Sequence, residues 1–433
     1  MSHSSHRRSF LAGVVTAFGG AVGRGEESPN HLVTMTQWLK ASPNMRKLAL
    51  QSCLDRIRER EPAIHAWVQV QPQSSTGRGS LSEIPFGVKD IIETRGLATE
   101  YGSPIYKGRV GETDAAIIQQ LKKRGAVVLG KTETTAFAYQ TPAQTRNPRN
   151  LAHTPGGSSS GSAAAIAAGM VPFTIGEQTR GSILRPASFC GVTGFKPTYE
   201  LLPMEGVLPL SRSMDTLGFF THTPDDMLAL WEALGHSTGG PEDVILGAPE
   251  PMPEVEPTMG KAFQDSLSRL RAEGGKIQAI DIAGTLTKLA DANLTIVQYE
   301  GARFHKERYK QYGDRLADLA DLVRKGLQIP VDRYDKARRY IDAGKATFSE
   351  FFKRTPLILT PAAVGPAPAG LSSTGDARMN APWTALGTPA ISIPMPVGDA
   401  LPLGLQLTAD RGQEALLLRT AVRVYNMLGR QAV

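Results

Sequence analysis

Cysteine is scarce in this 433-residue sequence, which holds only Cys53 and Cys190. There is no CxxC pair and no cluster of cysteine and histidine at metal-ligand spacing, so neither a disulfide framework nor a zinc site is indicated. We expect both thiols to be buried in the core. The eight histidines are scattered and form no HExxH motif, which excludes the common metallohydrolase pattern.

Concentrated positive charge is also missing. The formal charge of +7 is spread over a chain in which lysine and arginine alternate with aspartate and glutamate. No basic tract with interleaved aromatic residues occurs, so the sequence predicts no nucleic-acid partner. Hydrophobic residues make up 41% and charged residues 21%, a balance typical of soluble globular proteins.

A long apolar run is absent too. The stretch at 10–22 is shorter than the roughly 20 residues that a spanning helix needs, so no stable membrane insertion is predicted. Because Arg7 and Arg8 stand just before it, residues 1–25 resemble a twin-arginine export signal, and we expect an exported or periplasmic protein. A disordered basic leader on a cytoplasmic protein is the alternative, since no clear A-x-A cleavage site follows.

Helical and strand-like patterns alternate along the rest of the chain. They predict a helix at 45–61 that ends before Pro62, a strand at 84–92 around Lys89, and a helix at 114–125 followed by a strand. Residues 30–433 are expected to form one α/β domain, with a helical insertion or cap at about 224–354. Strand-like runs at 356–362 and 389–396 are expected to complete the same sheet.

Two motifs match known patterns by letter only. Residues 125–132, "GAVVLGKT", satisfy the P-loop pattern, but the residues that would cradle a phosphate are themselves predicted to be a strand. Residues 157–161 satisfy GxSxG with Ser159 at the centre, yet a polar segment broken by prolines precedes them where a nucleophile elbow needs an apolar strand. The histidines downstream of it, none of which is marked as a triad base, are His222, His236 and His305.

Three separated segments give a more specific signal. They are "GVKD" around Lys89, "TPGGSSSGSAAAIAAG" around Ser158, and "TRGSILRPASFCGVTGFKPTY" at 179–199. Together with "TEYGSPIYKG", "SMDTLG" and "NAPWTALGTPAISIP", they resemble the amidase signature family over most of residues 43–404. Taken singly, a lysine is usually a solvated charge and a serine cluster usually a cap or turn, so the argument depends on the combination.

The resemblance implies a single large α/β domain with a mixed, twisted β-sheet covered by helices on both faces. It also implies a Ser-cisSer-Lys triad, for which the matching residues are Lys89, Ser158 and Ser182, with Ser182 as the nucleophile. The same pattern places Ser158 before a cis peptide bond. Lys89 has apolar neighbours on either side, and a buried lysine can act as a base because loss of water disfavours its charged form.

The family pattern also assigns the backbone amides from Thr179 through Ser182 to the oxyanion hole, so that Thr179, Arg180 and Gly181 would line the substrate site. This chain departs from the pattern there. Most members have Gly-Gly-Ser, whereas this sequence has Arg180-Gly181-Ser182, and Glu177 stands where a small residue is usual. Two interpretations of Arg180 are open: it pairs with Glu177, or it binds a carboxylate of the substrate.

The function implied by the resemblance is hydrolysis of a small carboxamide or related C–N bond to a carboxylic acid and ammonia or an amine. The implied reaction needs no metal and no organic cofactor. The expected partner is a small-molecule amide, and a homodimer is left open. Two alternatives stand beside this one: the glutamine-amidase A subunit of a tRNA-dependent amidotransferase, which an export signal would exclude, and a non-catalytic binding protein that retains the fold.

Overall fold

Eleven strands of the described residues form one mixed sheet. The structure is a computed structural model that describes residues 32–75, 78–240 and 244–429, so the predicted export signal at 1–25 lies outside the described residues. The strands are β1 (Trp67–Val70), β2 (Pro85–Lys89), β3 (Val127–Thr132), β4 (Phe173–Gln178), β5 (Thr193–Lys196), β6 (Thr216–Thr221), β7 (Leu246–Pro249), β8 (Ile277–Ile280), β9 (Leu357–Pro361), β10 (Ala390–Pro394) and β11 (Gly404–Ala409).

Thirteen α-helices of the described residues accompany the sheet. They are α1 (Met35–Lys40), α2 (Pro43–Ile64), α3 (Ala116–Lys123), α4 (Ser160–Ala167), α5 (Leu184–Cys190), α6 (Pro224–Ala233), α7 (Pro257–Ala272), α8 (Ala283–Phe304), α9 (Lys306–Tyr312), α10 (Asp318–Leu327), α11 (Val331–Arg354), α12 (Ala381–Ala385) and α13 (Glu414–Met427). None of the helices so described is both long and apolar enough to cross a membrane.

The sheet is mixed, as the family resemblance implies. Its strand order is β1-β3-β2-β4-β6-β5-β10-β11-β9-β7-β8. Strand β2 runs parallel to both β3 and β4, and β7 runs parallel to β8 and β9, while the other neighbours are antiparallel. Every residue of β2, β3 and β4 is buried, so both faces of this part of the sheet are covered, as expected for parallel strands.

The P-loop pattern proves to be strand, as predicted. Most of its residues lie in β3, which pairs with β1 on one side and β2 on the other. Amides engaged in these ladders cannot converge on a phosphate. The GxSxG segment likewise follows no strand, because Ser159 immediately precedes α4 at the end of an irregular stretch.

The predicted helix at 45–61 forms, but its predicted end is wrong. Helix α2 continues through Pro62 to Ile64. A proline two residues before the end of a helix removes one hydrogen bond from the last turn only, so its cost is small there. Beyond the helix, the Glu61 carboxylate accepts hydrogen bonds from the amides of Ala66 and Trp67, at 2.9 and 2.8 Å, and thereby ties the helix end to β1.

The segment at 224–354 is not purely helical, which corrects the expectation of a helical insertion or cap. Six helices, α6 to α11, lie in this segment, yet β7 and β8 also fall within it and join the sheet beside β9. Both strands are only four residues long, and β7 reads Leu-Gly-Ala-Pro. Neither shows the alternation of apolar and polar residues that marks a strand in a sequence. The later part, α8 to α11, is helical as predicted.

The parallel strands bring two chain segments to one edge of the sheet. Phe86 lies opposite Phe173 and Val88 opposite Ile175, so the carboxyl ends of β2 and β4, at Lys89 and Gln178, meet at the same edge. Helix α4, which begins directly after the serine-rich segment, packs against β2, β3 and β4. In sheets of this kind ligands bind beyond the carboxyl ends of parallel strands. The candidate site is therefore expected at this edge.

Candidate active site

Lys89, the last residue of β2, is fully buried and contacts the predicted serine partner. Its Nζ lies 2.7 Å from Ser158 Oγ, 3.0 Å from Glu177 Oε2 and 3.1 Å from the Glu177 carbonyl oxygen. An ammonium group could donate to all three oxygens. A neutral amine could donate to both Glu177 oxygens and accept the proton of Ser158 Oγ. The geometry thus accommodates the lysine in both protonation states.

Two opposing influences act on the charge of Lys89. Burial lowers its pKa, while the negative charges of Glu177 and Asp215 and the hydrogen bond to Glu177 raise it. Burial is the larger effect, and the net pKa of Lys89 is lowered from its usual value. This is the direction that a lysine acting as a base requires.

Ser158 is buried against Lys89, and the peptide bond between Gly157 and Ser158 is cis. The cis bond thus precedes Ser158, which corrects the expectation that it would follow. Gly156, with φ of +83°, adopts the left-handed conformation that glycine tolerates best. Its carbonyl oxygen accepts a hydrogen bond of 2.7 Å from Ser160 Oγ, which joins the serine segment to the first turn of α4.

Ser182 lies in a turn between β4 and α5 and faces a cavity of about 410 Å³. The turn is bent back onto the strand end by Gln178, whose Oε1 accepts hydrogen bonds from the amides of Ile183 and Leu184 at 2.9 and 3.1 Å. Ser182 itself is 8% exposed. Within the described residues its hydroxyl makes no hydrogen bond, so the oxygen is free to meet a ligand in the cavity.

The serine segment and the Ser182 turn are linked by Arg185. Its Nη2 donates to the Gly157 carbonyl oxygen at 2.6 Å and to Thr374 Oγ1 at 3.2 Å. Of the three predicted residues, the structure brings Lys89 and Ser158 into direct contact. No direct hydrogen bond between Ser158 and Ser182 occurs in the part of the chain that the structure describes. Catalytic hydrogen bonds in ligand-free sites are often long and tighten when substrate binds.

The backbone amides of the turn at Gly181 are available as hydrogen-bond donors to a ligand. Among the described residues, no hydrogen bond has the amide of Gly181 or Ser182 as its donor. A Cβ on Gly181 would lie 2.5 Å from Asn380 Oδ1, so a larger residue would have to displace the start of α12. The turn therefore needs glycine here, and both amides remain free to stabilise developing negative charge.

Of the two interpretations of Arg180, pairing with Glu177 is wrong. The carboxylate of Glu177 is occupied by Lys89 Nζ and, at 2.9 Å, by Thr179 Oγ1. Arg180 instead turns away from it and donates from Nε to Asn293 Oδ1 at 3.0 Å. The physical reason is that the nearer and fully buried cation, Lys89, lies at the strand end beside Glu177.

Other candidate nucleophiles and bases of the sequence are placed elsewhere. His222 lines a separate cavity, His236 stacks on Trp231, and His305 packs against Phe137. Cys190 is buried, as predicted for both cysteines, and burial raises its thiol pKa to about 12. In the described residues no three or more histidine, cysteine, aspartate or glutamate side chains group so as to hold a metal ion.

Comparison with known proteins decides the family. The A subunit of glutamyl-tRNA(Gln) amidotransferase from Shouchella clausii is 31% identical, with 79% of this chain and 83% of that protein covered. The subunit of the same name from Geobacter metallireducens is 30% identical, with 86% and 92% covered. The chain belongs to the amidase family. The family profile described as Amidase matches residues 49–244.

A solved structure supports the same assignment at the level of the fold. The structure of an amidase superposes on this amidase-family chain with a TM-score of 0.81 at 25% identity, covering 90% of this chain and 97% of the other. Both the resemblance and the α/β fold predicted from the sequence are thus confirmed. The protein is an amidase-family hydrolase.

A buried acidic pair beside the lysine was not predicted. Thr179 Oγ1 lies 2.9 Å from Glu177 Oε1 and 2.8 Å from Asp215 Oδ1. A hydroxyl has one proton and can donate to only one of the two, so this arrangement is best satisfied when one carboxyl group is protonated. Burial, and next the charge of Glu177, raise the pKa of Asp215 well above its usual value, while hydrogen bonds from Thr179 and from the amides of Leu210 and Ser211 act in the opposite direction. Its motif, "SMDTLG", was the only signal in the sequence.

The pH dependence of activity is expected to depend on Glu177. If neutral Lys89 is the base, the rate rises with pH as Lys89 loses its proton. The charge of Glu177 favours the ammonium form, so Glu177→Gln lowers the pKa of Lys89 further. We expect the acid limb of the profile of kcat/KM against pH to move by about one to three units to lower pH. Glu205→Gln, a change of the same charge at an exposed residue, serves as the control. An acid limb that stays in place or moves to higher pH contradicts the prediction.

Proposed function

We propose that the protein hydrolyses a small carboxamide through an acyl-enzyme on Ser182. The observation that carries this proposal is the buried contact of 2.7 Å between Lys89 Nζ and Ser158 Oγ, next to a cavity that Ser182 faces. A serine hydroxyl is a weak nucleophile and needs a base. No described histidine hydrogen-bonds to Ser182, and Lys89 has a pKa lowered by burial, so the lysine is the base that the site offers.

In the proposed reaction neutral Lys89 takes the proton of Ser158, and Ser158 takes the proton of Ser182. Ser182 Oγ then forms a bond to the carbonyl carbon of the amide. When the C–N bond breaks, Ser158 returns a proton to the leaving nitrogen, which departs as ammonia or an amine. A water molecule, deprotonated by the same route, attacks the acyl-enzyme and releases the acid.

The amides from Thr179 through Ser182 are proposed to bind the oxygen that becomes negative when Ser182 attacks. Those of Gly181 and Ser182 are unused by the described residues, as an oxyanion hole requires. The turn that carries these amides is fixed at both ends. At its end, the Ile183 amide donates to Gln178 Oε1, and at its start Thr384 Oγ1 donates to the Arg180 carbonyl oxygen at 2.9 Å. A fixed turn keeps the donors oriented before reaction, which is how such sites lower the barrier.

The second candidate is the glutamine-amidase A subunit of a tRNA-dependent amidotransferase. The relatives described above carry that name, and the match covers most of both chains, which favours this candidate over a general amidase. The chemistry proposed at Ser182 is common to both, because a glutamine amidase also converts a carboxamide to an acid and ammonia. They differ in the substrate and in the compartment, since an exported chain could not serve a cytoplasmic complex.

The proposed function is tested by labelling and by ammonia release. Incubation with a fluorophosphonate, followed by peptide mass analysis, is expected to show one label, on Ser182. Ammonia release from a panel of small primary amides that includes glutamine is expected to show turnover by the isolated chain. Strong preference for glutamine would favour the amidotransferase subunit. A folded protein without label and without turnover would overturn the proposed function and favour a non-catalytic binding protein.

A further inference from the structure

The cavity that Ser182 faces carries an excess of positive charge. Two arginines, Arg180 and Arg185, line it together with one carboxylate, that of Asp376. Asp376 is already paired, because its Oδ2 accepts from Arg378 Nε and Nη2 at 2.7 Å each. The remaining polar lining consists of uncharged groups such as those of Tyr139, Gln140 and Thr374. The charges of the two arginines are therefore not balanced within the cavity.

Arg180 is held in position by its neighbours but not neutralised by them. Its Nε donates to Asn293 Oδ1, and Asn293 Nδ2 in turn donates to the Thr179 carbonyl oxygen at 3.3 Å. The four N–H groups on Nη1 and Nη2 make no hydrogen bond to any described residue, and no described carboxylate lies within ion-pair distance. A guanidinium group anchored at one edge presents the opposite edge, with its two parallel donors, to a ligand.

An unpaired guanidinium group in this position is costly without a ligand. Arg180 is partly buried, and burial lowers its pKa, while the more distant Asp376, Tyr139 and Asp291 act in the opposite direction. Charges removed from water are normally paired. Glu177 is paired with Lys89 and Asp376 with Arg378, and no other carboxylate of the described residues forms an ion pair with Arg180. A negatively charged group of the substrate would supply the missing partner.

We propose that the substrate is a small amide that also carries a carboxylate, and that Arg180 binds this carboxylate through Nη1 and Nη2. The inference rests on the proposed function, because Arg180 lies two residues before the proposed nucleophile and lines the same cavity. At about 410 Å³ the cavity is large enough for a small-molecule ligand. Arg180 thus determines specificity, and hydrolysis itself is left to Lys89, Ser158 and Ser182.

The experiment compares a charged amide with an uncharged amide of similar size. Succinamate and butyramide are assayed for ammonia release by the wild-type protein and by Arg180→Gln and Arg180→Lys. We expect Arg180→Gln to lower the ratio of kcat/KM for succinamate to that for butyramide by about 10- to 100-fold. Arg180→Lys, which keeps the charge but not the paired donors, is expected to restore part of the ratio. Arg339→Gln, at an exposed residue of α11, is the matched control and should leave the ratio unchanged.

A ratio that does not change in Arg180→Gln overturns the inference and leaves the proposed function intact. The thermal midpoint of each variant shows whether the protein is folded. If the wild-type chain hydrolyses neither amide, succinate binding is measured by calorimetry on the folded proteins. Binding that is lost in Arg180→Gln and kept in Arg339→Gln supports the carboxylate site even though the proposed function has failed with these substrates. Binding of equal strength in all variants, or none in the wild type, overturns the inference.

Discussion

Replacing Ser182 with alanine is expected to lower kcat for amide hydrolysis by about 10⁴- to 10⁶-fold, the loss seen when the nucleophile of a serine hydrolase is removed. Without the hydroxyl no acyl-enzyme can form, and the free amides and the cavity can contribute only binding and orientation. The measurement is single-turnover ammonia release together with fluorophosphonate labelling. Since Ser182 Oγ has no hydrogen bond within the described residues, the change should alter the free energy of unfolding by less than about 1 kcal/mol.

Two other serines provide controls for this variant. Ser373 lines the same cavity, and its Oγ accepts a hydrogen bond of 3.0 Å from the Gly375 amide, so Ser373→Ala tests for a general effect of losing a hydroxyl there. Ser159 is the centre of the GxSxG pattern, but its hydroxyl donates to the Glu177 carbonyl oxygen at 3.2 Å. Both variants should keep the label on Ser182. Loss of the label in Ser159→Ala, with labelling retained in Ser182→Ala, would make Ser159 the nucleophile instead.

The contact between Lys89 and Ser158 could be anticipated because it depends on motifs that recur together. Sixty-nine positions separate the two residues, and no local pattern brings them together. The resemblance supplied this pairing, and the alternation of strand and helix supplied only the sheet that carries it. The parallel pairing of β2 with β4 could not be predicted from either strand alone, since the two strands are only five and six residues long.

The pairing of Glu177 could not be predicted for the same reason. In the sequence, Glu177 and Arg180 stand three positions apart and have opposite charges, which suggested that they pair. In the structure, Glu177 follows the point where β4 lies beside β2, and the strand register brings Lys89 to it from 88 positions away. Asn293, the actual partner of Arg180, comes from α8, in the region where the resemblance is weakest. Contacts between segments far apart in the sequence thus determine the partners of both Glu177 and Arg180.

The short strands β7 and β8 show a second limit of prediction from the sequence. The expected strands at 356–362 and 389–396 form as β9 and β10, and all five residues of each strand are buried. Strands β7 and β8 have four residues each, and β8 is partly exposed at the sheet edge. Strand β7 pairs with β9, which lies far away in the sequence, and β8 pairs with β7, so tertiary contacts and not a strong preference of their own residues place them in the sheet.

The surroundings of Lys89 act on its protonation state in two opposite directions. Burial favours the neutral amine, and Glu177 favours the ammonium ion. Thr179 Oγ1 joins Glu177 to Asp215, a second buried carboxyl group whose pKa is raised well above its usual value. In the proposed reaction, proton transfer to and from Lys89 takes place beside the Glu177 carboxylate. The proposed mechanism therefore requires the lysine amine itself, and not only its positive charge.

Replacing Lys89 is accordingly expected to lower kcat/KM by about 10²- to 10⁴-fold, the usual contribution of a general base. Lys89→Met keeps the length of the side chain but leaves Glu177 buried without its cation, which costs about 3–5 kcal/mol of stability. Activity lost in this variant could therefore reflect unfolding. The double variant Lys89→Met/Glu177→Gln removes both charges of the pair, and its folded state is checked by its thermal midpoint.

The double variant separates the role of the amine from that of the ion pair. Glu177→Gln alone retains the amine and is expected to keep most of the activity at its shifted pH optimum. If Lys89 is the base, the double variant loses 10²- to 10⁴-fold relative to Glu177→Gln at every pH, and its acid limb disappears because the titrating group is gone. A folded double variant as active as Glu177→Gln would show that Lys89 serves only to hold Ser158 in place, and the base would then have to be sought elsewhere in the cavity.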